Sequence, residues 1–73
     1  MSSNRGQEVG LVVRSKRYLL TIEGLPSAKV NDIIVDQDGR HAIVRSLHNE
    51  FVHALALDTV AQPGDRFQFL DET

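Results

Sequence analysis

The sequence predicts an all-β domain, a small closed six-stranded Greek-key barrel. Three observations predict it: six short apolar runs, turn residues that separate them every eight to twelve positions, and alternation of side chains within the runs. The runs are residues 8–14 (EVGLVVR), 17–23 (RYLLTIE), 32–36 (DIIVD), 41–47 (HAIVRSL), 50–57 (EFVHALAL) and 65–70 (DRFQFL). All are rich in Val, Ile, Leu or Phe, which suit a pleated, half-buried surface.

Each break between runs carries turn chemistry. Ser15 and Lys16 part the first two runs, and Gly24-Leu25-Pro26-Ser27 opens the longest connection. Asp38-Gly39 is a hairpin signal, because glycine accepts the positive φ of a tight turn. His48-Asn49 makes another short turn, and Pro63-Gly64 the last. Gly24, Gly39 and Gly64 are therefore expected to be structural turn residues. Residues 1–7 and 71–73 are expected as flexible tails around a domain at 8–70.

Alternation assigns faces. Val9, Leu11 and Val13 share one side of the first strand, and Gly10, Val12 and Arg14 the other. Tyr18, Leu20 and Ile22 oppose Leu19, Thr21 and Glu23, while Phe67 and Phe69 alternate with Arg66, Gln68 and Leu70. The runs Ile33-Ile34-Val35 and Ala54-Leu55-Ala56-Leu57 are apolar on both faces. One face of a barrel fills its interior, so apolar residues on the other must meet a neighbour or stand exposed. The alanines of residues 51–60 offer a helical alternative, which Val52, Thr59 and Val60 dilute.

Composition narrows the function classes. Seventy-three residues make one domain with a thin core. A formal net charge of −2 gives no overall electrostatic footprint for nucleic acid. Without cysteine there is neither a disulfide framework nor a thiolate metal site. No apolar run approaches the roughly 20 residues that span a bilayer. His41, His48 and His53 match no metal-ligand spacing. No phosphate-binding G-x-x-x-x-G-K-[ST] loop is present, and the serines lack a nucleophile-elbow context. No catalytic, cofactor or metal residues are expected. The one basic cluster is Arg14, Lys16 and Arg17 with Tyr18 beside it. It reads either as a nucleic-acid tip with a stacking ring or as a solvated hairpin with Tyr18 packed inward, and the acidic balance favours the hairpin.

The order of these residues resembles a known family. Gly10-Leu11-Val12 is followed by Gly24-Leu25, Asn31-Asp32, Gly39, Leu47, an apolar strand over 52–57 and a closing Gly64-Asp65. This is similar to the N-terminal barrel of the F-type ATP synthase alpha subunit, and more distantly to those of the beta subunit and of flagellar and type III secretion ATPases. The likeness runs from Glu8 to Leu70. It departs at Lys16-Arg17-Tyr18, where the family has an Asp-Gly turn, and at Ala42, near which the family has a glycine. The resemblance implies a non-catalytic assembly domain in a ring of protein subunits within a rotary ATPase hexamer. It implies a cytoplasmic site, peripheral to the membrane and without insertion, and no cofactor. Alone, such a domain is expected to be monomeric, and to bind no nucleic acid. The alternative is a stand-alone small barrel that binds nucleic acid or a peptide.

Overall fold

The computed structural model describes residues 7–58 and 61–70. The six runs form six strands: β1 (Gly10–Lys16), β2 (Leu19–Glu23), β3 (Ile33–Asp36), β4 (His41–Leu47), β5 (Val52–Ala56) and β6 (Arg66–Phe69). They close into an antiparallel barrel in the order β1-β2-β5-β4-β3-β6. The hairpin-linked trio β3-β4-β5 has β6 returning beside β3 and β2 beside β5, which is Greek-key connectivity. The stretch with helical alternatives, 51–60, supplies β5, because its alternate residues Val52, Ala54 and Ala56 all have a place in the interior. The expected tails lie outside the described residues, apart from Gln7.

The interior is filled by one face of every strand. Val12, Leu20, Ile22, Ile34, Val44, Ala54 and Phe67 are almost wholly buried. In a ring of six, β5 stands opposite β6. Small Ala54 and Ala56 are therefore on the strand opposite the one that carries Phe67 and Phe69, and all four are buried. Burying such side chains stabilises by roughly 1.5–3 kcal/mol each.

Two corrections to strict alternation follow from bulges. The β1–β2 register slips between Val12 and Arg14, so Val13 and Arg14 both lie outside while Ser15 takes the inward position opposite Leu20. The β4–β5 register slips between Val44 and Ser46, and there Arg45 is the extra residue. A bulge bends its strand and sharpens its twist, as a small barrel requires. The first turn also comes two residues later than its residues suggest. Ser15 and Lys16 still pair with Leu20 and Leu19, and the chain reverses at Arg17-Tyr18, with Arg17 at φ 58°.

Close approach dictates two glycines. A Cβ on Gly10 would lie 2.5 Å from Ile22 Cγ2 and 2.7 Å from Leu25 Cγ. A Cβ on Gly24 would lie 2.7 Å from the Val9 carbonyl oxygen, and φ there is 99°. Gly39 and Gly64 also have positive φ, but a Cβ on either meets nothing within 4 Å. Glu8 ties the entry to β1 to the long connection, its carboxylate accepting from the Ser27 amide at 3.1 Å and hydroxyl at 2.6 Å.

These geometries rank three substitutions. Gly39→Val and Gly64→Val each carry only the cost of positive φ, about 1–3 kcal/mol. Gly24→Val adds a collision with backbone and is expected to lower the urea midpoint most. Equal midpoints for all three variants would show that the Val9–Gly24 crossing is not tight.

Candidate functional site

The candidate sites all lie on the outside of the barrel or at its ends, because its inner face is packed. The basic cluster is split by the turn that holds it. Arg14 pairs with Thr21 and Lys16 with Leu19, both on the outer face, while Arg17 occupies the turn. Tyr18 does not pack inward: it is 53% exposed. It sits in the turn after Arg17, and its carbonyl accepts from the Ala56 amide, which fixes its backbone and leaves the ring outside. Among the described residues, Arg14, Lys16, Arg17 and Arg45 form no ion pair within 4.0 Å. All four are on the wall formed by β1, β2, β5 and β4 or at its hairpin tip.

The acidic residues gather elsewhere. Asp36 closes the β3–β4 hairpin, its Oδ1 accepting from the amides of Asp38 at 2.9 Å and Arg40 at 2.8 Å. Its side chain is fully buried, and among the described residues Oδ2 has no hydrogen-bond partner, with Arg40 Nε at 3.9 Å. The Arg40 guanidinium also reaches Asp38 at 3.4 Å and Asp65 at 3.8 Å, which draws the start of β6 toward this turn. At the same end as the Arg17 turn, Asp58 Oδ2 accepts from the His41 amide at 2.8 Å and lies 3.2 Å from His41 Nδ1. The backbone hydrogen bond from His41, then its side-chain contact, hold the exposed Asp58 carboxyl below its ordinary pKa.

The opposite end carries a feature that linear reading missed. At the β4–β5 hairpin His48 stacks on Phe51 with ring centroids 4.5 Å apart, and His53 meets His48 edge-on at 4.8 Å. Ser46 Oγ lies 3.1 Å from His48 Nε2 and 3.5 Å from His53 Nδ1. The Val44/Ser46 bulge sets Ser46 opposite His53, and no ligand-spacing pattern in the sequence signals that register. Beside the hairpin is a cleft of about 440 Å³ floored by Leu25, Ala28, Leu47 and Val52.

The outer wall also carries an apolar row. Leu19 pairs with Leu55, Leu55 with Ile43, and Ile43 with Ile33, so four large apolar side chains stand side by side across β2, β5, β4 and β3. Leu70, whose amide donates to the Ile33 carbonyl, extends the row. Leu19 is 40% and Leu55 39% exposed.

The catalytic inventory is short. Among the described residues no three of His, Asp and Glu come together as a metal-holding group, and Gly24, Gly39 and Gly64 lie in three separate turns. No protein-family model and no curated protein matches the chain.

Two outcomes follow from the polar contacts. Asp36→Ala strips a buried charged acceptor from two amides and is expected to cost about 2–3 kcal/mol, whereas Arg40→Ala loses only partly exposed ion pairs, about 1 kcal/mol or less. A larger loss for Arg40→Ala in chemical denaturation would reverse that order. Because the folded pKa of Asp58 is depressed, its contribution is present above the unfolded aspartate value of about 3.9 and is lost as pH falls through the lower folded value. Thermal melts between about pH 2.5 and 5 are therefore expected to show a shallower acid limb for Asp58→Asn than for the wild type.

Proposed function

We propose that the chain is a non-catalytic assembly barrel whose outer face packs against neighbouring protein subunits, as in the N-terminal ring of the F-type ATP synthase alpha subunit that it resembles. The row Leu19-Leu55-Ile43-Ile33 carries this reading. A barrel whose interior is filled by its own side chains gains nothing for its fold from a second apolar face. Such a face gains free energy when a partner covers it. Closure suits the role, because it pairs the strands around the ring and leaves a stiff unit. In that setting the domain belongs to a hexamer on the cytoplasmic side of a membrane, touching protein only. It binds no nucleotide, since it has no phosphate-binding loop.

One observation favours a second reading, a module for single-stranded nucleic acid. Among the described residues Arg14, Lys16 and Arg17 form no ion pair within 4.0 Å, and Tyr18, next in the chain, is exposed. Three phosphate contacts on an acidic chain give weak, salt-sensitive binding.

One comparison separates the readings. A labelled single-stranded oligonucleotide is titrated at physiological salt with the wild type, with Arg14→Ala/Lys16→Ala/Arg17→Ala, and with Leu19→Lys/Leu55→Lys. The assembly reading expects no oligonucleotide shift with any of the three. It also expects the Leu variant to keep the wild-type melting temperature, because both leucines stand on the surface. Sub-micromolar binding that the triple variant abolishes would establish the module instead. In the gene, a G-x-x-x-x-G-K-[ST] loop encoded beyond Thr73 is the outcome that agrees with the ring reading.

A further inference from the structure

From the β4–β5 hairpin we infer that His48 and His53 form a two-imidazole site for a borderline divalent transition metal, with Ser46 marking the point where their nitrogens converge. The two residues are five apart in sequence, and the bulge at Val44/Ser46 is what brings them to one spot. His48 Nε2 and His53 Nδ1 both approach the same oxygen, at 3.1 and 3.5 Å, with their rings inclined at an interplanar angle of 63°. A hydroxyl has one proton, so Ser46 can donate to only one of these nitrogens and accepts from the other. The nitrogen that donates must carry a proton. For a metal to take the shared position the Ser46 hydroxyl turns away about its Cα–Cβ bond, the proton on the donating nitrogen moves to the other nitrogen of the same ring, and both lone pairs are then free to face the ion.

The surroundings select the ion. Imidazole suits copper, nickel and zinc, whereas magnesium and calcium take oxygen ligands. Arg45 adjoins Ser46 in the chain, and Arg14 stands in the same outer row as His53 two strands away, about 10 Å by strand spacing. Their positive charge opposes any ion held by charge alone and leaves those with strong covalent affinity for nitrogen. Phe51 supports the His48 ring from its face at 4.5 Å and limits its rotation, so less freedom is lost on binding. Two ligands do not make a closed structural site of four. Water fills the remaining positions, and the ion is exchangeable rather than built in. Binding requires neutral imidazoles, so protons compete with the ion for both nitrogens.

Zinc chloride is added stepwise to the wild-type chain at neutral pH while the imidazole C–H resonances are followed, with magnesium chloride as the control ion. His41, at the other end of β4, is the internal reference. The site predicts that His48 and His53 shift together to a 1:1 end point, and that His41 and the magnesium titration stay unchanged. His48→Gln and His53→Gln each reduce zinc affinity at least about tenfold, and Ser46→Ala, which removes no ligand, retains it. Parallel shifts of all three histidines, undiminished binding in either Gln variant, or no response up to about 1 mM zinc overturns the site. His48 is exposed and its replacement spares the core, so loss of binding in His48→Gln reads on ligation rather than folding.

Discussion

Two residue pairs, Gly10 with Phe67 and Leu11 with Arg66, join β1 to β6, and the closure of the sheet depends on them. The seam is short because β6 begins where β1 is already a third of the way along its length. Two further backbone bonds, from the Val12 amide to Asp65 and from the Gly64 amide to Val12, lengthen it beyond the ladder. On the inner side Phe67 fills the space, while the absence of a side chain on Gly10 lets Ile22 and Leu25 approach from the neighbouring wall. Every other arrangement follows from this closure. Once β1 and β6 meet, the inward faces must interdigitate at fixed radius, and both bulges appear in strands that have to bend sharply to keep the ring shut.

Much of this was legible in the sequence, and the parts that were not share a cause. The period of two placed Leu20 with Ile22 and Phe67 with Phe69, and the turn glycines bounded the runs, since both signals are local and repeat. A bulge leaves no compositional trace. One extra residue transfers the rest of its strand to the other face, and strict alternation consequently put Arg14 with Val12 when it belongs outside with Val13. The same blindness hid the encounter of His48 and His53, which exists only in a slipped register. The first break was placed at Ser15-Lys16, two residues early, because the Arg17-Tyr18 turn contains no glycine: Arg17 accepts a left-handed conformation there, and the ladder on either side holds it in place. The apolar character of both faces in residues 33–35 and 54–57 was plain, but only the register shows that their outward members line up across four strands.

Charge is sorted by a similar logic. Asp36, Asp38 and Asp65 are engaged with Arg40 and with backbone amides at the β3–β4 turn, where they shape the chain. The cations of β1, the first turn and β4 have no such duty among the described residues. They border an apolar row that also has no internal partner.

The packed interior has a consequence for what kind of ligand this fold can recognise at all. Larger barrels hold a guest in a lumen, and shape selectivity there comes from enclosure. Here Phe67, Phe69, Ala54 and Ala56 are all buried, and the axis is solid. A small organic molecule would find no chamber along that axis; the cleft beside the β4–β5 hairpin lies outside it. Discrimination falls to the outside of the barrel, through its walls, the cleft at one end or a few donor atoms on its surface. Variation in such a domain can then alter its specificity one outward residue at a time, while the inward set that keeps it folded stays untouched.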